Sequence, residues 1–437
     1  MSFAWKAVSV AALSAIAFIG CSKTDQPSPS AAEKQAEVKK EPITLNFFYQ
    51  SRSDWEPEVF MTTFGEPIQK KYPYITVHVI PNGTGITVDT LLASGQTIDV
   101  HAGSPGTLGT QLIPTKLQYD ITPQIKTFNY DLNLLDPSMV AQAKEAAGGG
   151  MYGLPVLTPP VTTYYSKDIF NKFGVAYPKD GMTWDDLYEI NRKLTRSDGG
   201  VQYFGLAAPI AHIGKLNQKS LQIVDPKTNV ANLESDGWKQ MAELLAKNYQ
   251  IPGYPSPPAS VTGQREQFFK LKTAAMWLDA TTLHNSPELD PAMSFDLASF
   301  PSYKELPGVG TQPYPTYFHI TSQSKYKDDA FQAIAYLTSK EFQLMRARAG
   351  VILPVLTDRS ILKEFGQDSP IYKGKNVSAL LPQKFAVPSP FTPYNDIVST
   401  EFYNAVYKHL GGKADFNTAL REGTEIANQK IKAALAQ

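Results

Sequence analysis

The chain has 437 residues, and its 41 Lys and Arg side chains balance 41 Asp and Glu side chains, so the formal net charge at neutral pH is zero. This balance favours neither a nucleic acid nor an anionic surface as a partner. Hydrophobic residues (42%) and charged residues (19%) indicate an ordinary globular protein, and no apolar stretch after the N-terminus is long enough for a permease.

An apolar run from Ala7 to Ile19 follows Lys6 and ends just before Cys21, the only cysteine of the chain. The run is too short to span a bilayer permanently, so it predicts an export signal peptide over residues 1–20. The residues that end at Cys21 resemble a bacterial lipoprotein signal, in which the thiol takes a diacylglycerol group and begins the mature protein. We therefore expect Cys21 to be the lipid attachment site, on the extracytoplasmic face of the cell membrane; a free or buried thiol is the alternative.

The segment 21–42 is built mostly of Ser, Pro, Ala, Gln, Glu and Lys. Such a composition cannot bury enough apolar surface to offset the loss of chain entropy, so it predicts a flexible tether. A tether that begins at an anchor of two acyl chains would hold a soluble domain beside the membrane.

The part of the chain from residue 43 onward is longer than one hydrophobic core usually serves, so we expect two lobes. Its first apolar residues alternate, then fall at helical spacing, and then alternate again: Ile43, Leu45 and Phe47; Phe60, Phe64 and Ile68; Ile75, Val77 and Val79. This strand–helix–strand order predicts a right-handed parallel crossover, and hence an α/β protein with a mainly parallel sheet. A helix near 89–93 and a strand at 98–101 extend the pattern.

Helix signals recur in the later part of the chain. Thr183 precedes two acidic residues and an apolar face, which predicts a capped helix start. Asp328 begins another amphipathic segment, and residues 416–435 form a third. Proline-rich stretches at 252–258 and 382–393 predict loops.

Several sequence blocks, in their order along the chain, are similar to those of one known family. They are Leu92–Val100, Tyr152–Pro155, Tyr164–Phe170 with Gly174, Met182–Leu187, Ala274–Met276, and Ala330–Phe342 with Gly350. On these blocks the chain from Ile43 to the C-terminus resembles the extracellular solute-binding proteins, family 1, of ABC transporters, which include maltose-binding-like proteins. The resemblance implies a two-lobe periplasmic-binding-protein-like fold of type II, in which each lobe is a mainly parallel sheet flanked by helices and a hinge joins the lobes.

The resemblance also implies where the lobes begin and end. The chain would cross between them near residues 156–158, 300–303 and 344–346. The N-lobe would then consist of 43–157 plus 303–345, and the C-lobe of 158–302 plus 346–437. Proteins of this class grip a ligand between two lobes that close about a hinge.

A sugar presents C–H patches and hydroxyl groups, so its cleft needs aromatic faces together with carboxylates or amides. Loops that face the cleft should supply these groups. The predicted ligand-binding residues are Tyr49, Asp54, Ser104, Thr158, Trp277, Asp279, Tyr317 and Tyr394. Wider candidates beside them are Arg52, Trp55, His101, Gly103, Thr162, Thr281, Thr282, Gln312, Tyr314, Phe318 and Asp396.

Two of these groups follow predicted strands at the carboxyl end, where ligands gather in open α/β sheets. Tyr49 and Asp54 follow the first strand, and Ser104 follows the strand that ends at Val100. A solvated loop and a simple turn are the respective alternatives. Thr158 follows the first predicted crossover, where the neighbouring prolines would stiffen the hinge.

The other groups depend on the resemblance. Trp277 and Asp279 follow the Ala-Ala-Met strand, where relatives often carry a turn with an aromatic ring; this chain has Ala-Thr-Thr at 280–282 instead. Tyr317 lies where relatives carry a glycine-rich turn at the cleft mouth. Tyr394 lies in a proline-rich loop where relatives place an aromatic ligand contact.

Enzymatic motifs find little support in the sequence. Six scattered histidines contain no His-Glu-x-x-His, residues 103–106 are not a Gly-x-Ser-x-Gly elbow, and the Gly83-Thr84-Gly85 run lacks the third glycine of a dinucleotide site. A glycoside hydrolase needs only two carboxylates, whose placement spacing cannot reveal, so it remains the enzyme alternative. A surface adhesin and a binder of peptides or another non-sugar solute are further alternatives.

We therefore expect a lipid-anchored, monomeric substrate-binding subunit of an ABC importer. It would capture a carbohydrate, in the first place an oligosaccharide, between its lobes and deliver it to permease subunits in the membrane. It would need no cofactor, the sequence predicts no metal-ligating residues, and ATP hydrolysis would take place on other chains.

Overall fold

The structure, a computed structural model, describes residues 40–49, 55–80, 83–254, 261–280 and 292–436. The predicted signal peptide, the Cys21 anchor, most of the tether and Asp54 lie outside the described residues. Residues Pro42–Gln437 form one compact unit, which contains all the helices and strands given below. No helix among the described residues combines the length and the apolar character needed to cross a bilayer.

The first sheet consists of β1 (Ile43–Tyr49), β2 (Ile75–Ile80), β3 (Val100–Gly103), β4 (Gly153–Leu157) and β10 (Thr316–Ile320). Their order in space is β2-β1-β3-β10-β4. The first three strands are parallel, as the strand–helix–strand pattern predicts, whereas β10 is antiparallel to both of its neighbours.

The second sheet consists of β5 (Val161–Ser166), β6 (Arg196–Asp198), β7 (Val201–Ala207), β8 (Ala274–Ala280) and β9 (Phe295–Ser299). Its order is β6-β7-β8-β5-β9, and only the β7–β8 pair is parallel. The prediction of mainly parallel sheets was therefore wrong, because strands that cross from one sheet to the other enter as antiparallel neighbours. The two-sheet α/β architecture itself is as predicted.

The helices flank these sheets. They are α1 (Pro57–Phe60), α2 (Glu66–Lys71), α3 (Val88–Ala93), α4 (Pro105–Thr107), α5 (Thr122–Thr127), α6 (Pro137–Ala146), α7 (Lys167–Phe173), α8 (Trp184–Leu194), α9 (Ile210–Leu216), α10 (Asp236–Tyr249), α11 (Val261–Phe269), α12 (Lys327–Leu337), α13 (Lys340–Arg348), α14 (Asn395–Leu410) and α15 (Phe416–Leu435). Among the described residues, the π-helical turns Met61–Gly65 and Leu108–Leu112 continue α1 and α4, and 3-10 turns lie at Leu132–Leu134, Arg359–Glu364 and Val377–Leu380.

The start of α8 shows how local sequence sets a helix boundary. The Thr183 hydroxyl accepts a hydrogen bond from the Asp186 backbone N–H at 3.2 Å, and the Asp186 carboxylate accepts one from the Thr183 backbone N–H at 2.9 Å. This reciprocal pair satisfies two backbone N–H groups at the helix start. The predicted N-cap at Thr183 is confirmed.

The chain passes twice between the sheets among these strands, once from β4 to β5 and once from β9 to β10. A long stretch without α-helix or strand, residues 349–394, follows α13. Its buried residues, such as Leu353 and Tyr372, share one hydrophobic cluster with Leu45 of the first sheet and Trp277 of the second. This stretch, called here the shared segment, therefore joins the cores of the two sheets.

Candidate functional site

A large pocket is lined by residues attached to both sheets. Tyr317 and His319 of β10 and Gln142 of α6 line it on the side of the first sheet, and Lys215 of α9 and Asp396 of α14 line it on the opposite side. The space not filled by protein atoms is about 1090 Å³, the open mouth included. Concave sites of this kind, with apolar walls and a few placed polar groups, are the usual sites for small ligands.

Tyr317 forms a fixed wall of the pocket. Its side chain is only 4% exposed, and its hydroxyl lies 2.8 Å from the Met139 carbonyl oxygen and 3.0 Å from Oε1 of Gln142. Burial raises the pKa of Tyr317 well above its usual value, so the phenol stays neutral. Both neighbours of the hydroxyl can accept its proton, so Tyr317 is held in one orientation, and a small part of its ring faces the pocket.

His319 lies two residues farther along β10, on the same face of the strand, with its ring centroid 5.8 Å from that of Tyr317. Burial is the main cause that lowers its pKa to about 3, and the neighbouring His101 lowers it further. His101 itself is completely buried, its Nε2 lies 2.9 Å from Oε1 of Gln111, and burial lowers its pKa to about 4. Both imidazoles are therefore neutral at physiological pH.

The opposite wall carries one ion pair. Lys215 Nζ lies 2.8 Å from Oδ1 of Asp396, and the two side chains are 28% and 29% exposed. Burial acts against the charged form of Lys215, but the nearby Tyr314 and Asp396 outweigh it, so the pKa of Lys215 is raised. The two opposite charges leave this wall with no net charge.

Two glycines allow the two sides of the pocket to approach closely. A Cβ atom at Gly106 would overlap the carboxylate of Asp396, and one at Gly109 would lie 2.9 Å from Cα of Pro393. Next to them, Phe391 packs against a small hydrophobic cluster that contains Leu108. The turn after β3 is thus in direct contact with the loop before α14.

Three of the predicted ligand-binding residues lie at or beside this pocket. Tyr317 lines it, Ser104 directly precedes the lining residue Pro105, and Tyr394 stands between the lining residues Pro393 and Asn395. Among the wider candidates, Gln312, Tyr314 and Asp396 also line it. Gln312, however, is used in local structure, because its side chain bonds the Asn217 carbonyl oxygen and both polar groups of Ser389.

Other predicted residues lie in the hydrophobic interior. Tyr49 is 2% exposed and stacks on Phe60, with ring centroids 5.2 Å apart. Trp277 is fully buried in the cluster that also contains Tyr164, and Thr158 is 1% exposed and paired with Leu353. None of the three lines the pocket, because each side chain is buried in the protein interior.

Asp279 marks a second polar position at the end of β8. Its carboxylate is fully buried, and its Oδ1 lies 2.7 Å from Nδ1 of His212, whose side chain is 34% exposed. Thr162 lies opposite it in the neighbouring strand. Asp279 does not line the pocket, and its role as a ligand contact stays a prediction.

The pocket also contains residues that sequence reasoning missed. Gln142 and Lys215 lie on helices α6 and α9, which carry no ligand motif. His319 could have been predicted as a pocket residue from the sequence, because residues two apart on a strand face the same side and Tyr317 was already a candidate. Among the described residues, no group of three or more His, Cys, Asp and Glu side chains could hold a metal ion.

Comparison with known proteins identifies the family and the fold of this chain. Residues 51–344 match the model of a family described as bacterial extracellular solute-binding protein. The chain belongs to this family. Membership indicates an extracytoplasmic protein that binds a solute.

Proteins similar to this chain are distant in sequence. A Brucella abortus (strain 2308) protein, whose name describes it only as a binding protein, is 23% identical over 356 residues, which are 77% of this chain and 82% of that protein. The mannitol-binding protein of Pseudomonas aeruginosa is 26% identical over 219 residues, which are 46% of this chain and 49% of that protein.

Solved structures of the same fold cover nearly the whole chain. An ABC substrate-binding protein from Listeria monocytogenes in complex with cycloalternan has a TM-score of 0.71 at 20% identity and covers 90% of this chain and 100% of its own. A solute-binding protein from Agrobacterium vitis S4 with bound D-mannitol has a TM-score of 0.62 at 19% identity, with coverage of 90% and 99%. The prediction of a type II periplasmic-binding-protein fold is confirmed.

Proposed function

We propose that this family member is the substrate-binding subunit of an ABC importer and that it binds an uncharged carbohydrate, a sugar or a polyol, in the pocket between its two sheets. The observation that carries the proposal is the lining: the aromatic rings of Tyr314 and Tyr317 lie beside the amide groups of Gln142 and Asn395, each of which keeps one N–H beyond its bonds within the protein. Rings stack on the C–H faces of a sugar, and amides pair with its hydroxyl groups.

The electrostatics of the pocket favour an uncharged ligand. Its one ion pair, Lys215 with Asp396, is internally neutral, and the imidazole of His319 carries no charge near pH 7. An anionic ligand would have to compete with Asp396 for Lys215 and would leave that carboxylate unpaired, which costs free energy in a partly buried site. The ligands of similar structures, cycloalternan, maltotetraose, α-D-tagatose and D-mannitol, are all uncharged carbohydrates.

An oligosaccharide remains our first candidate for the ligand. Two of the similar structures hold one, cycloalternan in one and maltotetraose in the other. A polyol is the second candidate, because the similar structures also include one with D-mannitol and one with ribitol. An oligosaccharide is larger than a polyol and would make more stacking contacts with the rings. The screen described below distinguishes the two ligands.

The proposal includes the remaining predictions about the whole protein. Cys21 would carry the lipid anchor, the protein would act as a monomer, and closure of the two sides of the pocket would present the bound carbohydrate to permease subunits. Metabolic labelling with a palmitate analogue tests the anchor. Wild type should be labelled and found in the membrane fraction, whereas Cys21→Ser should be unlabelled.

A thermal-shift screen tests the carbohydrate. A ligand that binds only the folded state raises the melting temperature by mass action, so maltotetraose, D-mannitol, α-D-tagatose and cycloalternan are compared with sugar acids and short peptides. We expect a shift with at least one uncharged carbohydrate and none with the acids or peptides. A shift with peptides alone contradicts the proposal, and hydrolysis of a bound saccharide, measured by chromatography, would favour the glycoside hydrolase instead.

Variants of Tyr317 then test the site. Tyr317→Ala removes the ring and should abolish the shift, while the matched variant Tyr317→Phe keeps the ring and should retain most of it, because the hydroxyl bonds to Met139 and Gln142 and not to the ligand. Circular dichroism and the melting temperature without ligand show that each variant is folded. Asp279→Asn tests the second polar position in the same assay; an unchanged shift would remove Asp279 from the site.

A further inference from the structure

His319 is a buried polar side chain that lines the pocket and has one ring nitrogen without a partner. It is 4% exposed, and the structure shows no hydrogen bond to its Nε2 from any described residue. Buried polar atoms in folded proteins nearly always have a partner, so an atom of this kind needs an explanation. Nε2 itself has almost no surface open to solvent, so a group that enters the pocket supplies the partner once the neighbouring side chains shift to admit it.

The other ring nitrogen fixes the tautomer. Nδ1 of His319 lies 3.1 Å from the backbone carbonyl oxygen of Tyr152. A carbonyl oxygen can only accept a hydrogen bond, so Nδ1 must carry the proton and donate. In a neutral imidazole the second nitrogen then has a free lone pair, which makes Nε2 an acceptor.

The surroundings keep the ring neutral. His101, on the neighbouring strand β3, has its ring centroid 6.5 Å away and is itself buried. Tyr317 lies on the same strand as His319, and the opposite wall presents Lys215 and Asp396, which are paired with each other. Burial and the second imidazole both disfavour a proton on Nε2, so the acceptor persists throughout the physiological pH range.

We propose that Nε2 of His319 accepts a hydrogen bond from a hydroxyl group of the bound solute and so makes the pocket selective for ligands that can donate at this point. The inference rests on the proposed function and deepens it. Hydroxyl groups of sugars and polyols can donate to Nε2, whereas ionised carboxylates and phosphates are acceptors only and would face an unmatched lone pair. Selection against a ligand that lacks the donor is strong at such sites, because the buried acceptor stays unpaired.

Two substitutions separate this role from packing. In His319→Asn the side-chain amide can take the place of Nδ1 and keep the bond to the Tyr152 carbonyl, but nothing reaches the position of Nε2. In His319→Gln the longer side chain can place its carbonyl oxygen near that position. We expect His319→Asn to weaken binding of the carbohydrate found in the screen by about tenfold, the loss of roughly one hydrogen bond, and His319→Gln to stay within about threefold of wild type by calorimetry.

Deoxy analogues of the same carbohydrate give a second readout. Wild type should lose about tenfold in affinity for the analogue that lacks the donating hydroxyl, and His319→Asn should lose nothing more for that analogue, because the two changes remove the same bond. A merely structural role would give equal losses with every analogue. The ¹⁵N NMR signals of His319 in the full-length protein should show protonated Nδ1 and unprotonated Nε2, and the Nε2 signal should shift on saturation with ligand.

The outcomes distinguish this inference from the function on which it rests. If no sugar or polyol binds, the proposed function fails and the inference falls with it. If a carbohydrate binds but His319→Asn and His319→Gln bind it equally well, or the Nε2 signal does not respond to it, the proposed function stands and the inference is overturned. In that case the partner of Nε2 is a buried water molecule and not the solute.

Discussion

Lys215 and Asp396 connect two helices of the second half of the protein, α9 and α14, through an ion pair of 2.8 Å. The same carboxylate lies against Gly106, which belongs to the turn after β3 of the first sheet. Asp396 therefore occupies a point where three segments meet at the edge of the pocket. A substitution of either residue should change both the free energy of unfolding and the affinity for the ligand.

Replacement of Lys215 by Met should lower the free energy of unfolding by about 1 kcal/mol, because it leaves Asp396 unpaired in a site intermediate between surface and core. The pKa of Lys215 is raised in the folded state above its ordinary value of 10.5. The contribution is therefore complete below pH 10.5 and is lost only as the pH rises through the folded-state value. Urea unfolding at neutral pH measures the effect.

The control Lys340→Met removes the more exposed pair with Asp358 and should change the free energy of unfolding by less than about 0.5 kcal/mol. Equal losses in the two variants would contradict the prediction.

The buried pair His101 and His319 should make the protein sensitive to acid. Their folded-state pKa values, about 4 and about 3, lie below the unfolded value of 6.5, so the unfolded chain binds more protons as the pH falls below 6.5. Stability is present above pH 6.5 and decreases as the pH falls toward the folded-state values, by up to about 1.4 kcal/mol per pH unit for each histidine.

Urea unfolding at about pH 7 and about pH 5 measures this slope, since ordinary carboxylates titrate mainly below that interval. The double variant His101→Gln/His319→Gln cannot gain these protons, so its stability should change much less between the two pH values. Parallel pH profiles for wild type and the double variant would show that the histidines are not the cause.

Replacement of Gly109 by Ala should weaken carbohydrate binding. The added methyl group would meet the backbone of Pro393, which cannot move aside as a side chain can. The turn after β3 would then be pushed away from the loop before α14, at an overpacking cost of about 1–3 kcal/mol in the free energy of unfolding, and the displaced walls should hold the carbohydrate less tightly. Calorimetry measures the affinity, and small-angle scattering of the ligand-bound protein should show a larger radius of gyration. Gly83→Ala is the control, because a Cβ atom there has no neighbour within 4 Å; the same loss in both variants would refute a steric cause.

Replacement of Thr183 by Ala should destabilise the protein by about 1 kcal/mol without altering ligand affinity, because it removes the N-cap of α8 and leaves the pocket intact. Thermal and urea unfolding measure the loss. Thr127→Ala, at an exposed position near the end of α5, should be close to neutral. A loss below that of the control would mean that the capping hydrogen bonds contribute nothing to stability.

Local patterns in the sequence determined the elements that were predicted correctly. The alternation of Ile43, Leu45 and Phe47 and the cap at Thr183 depend on neighbours within a few residues, and both are found in the structure. The antiparallel entry of β10 beside β3 was not predictable in this way, because these strands are separated by more than two hundred residues of chain. Pairing over such a distance depends on the packing of the whole fold.

The candidate site was harder to predict for a related reason. Alternation shows that Trp277 and Asp279 share one face of β8, yet it cannot show which face meets the core. In the structure both faces of β8 are buried, and Trp277 packs with Tyr164 in the hydrophobic cluster. Tyr317 lines the pocket, and its role as a ligand contact stays a prediction. The orientation of the His319 ring depends on the position of the Tyr152 carbonyl and has no signature in sequence.

The shared segment, residues 349–394, has a consequence for how the protein unfolds. Because its apolar side chains fill one cluster with residues of both sheets, melting of either half would expose hydrophobic surface on the other. The free energies of the two halves are therefore coupled, and heating should give one calorimetric transition instead of two. A single proteolytic cut in this segment should convert that transition into two and lower the refolding yield of the whole molecule.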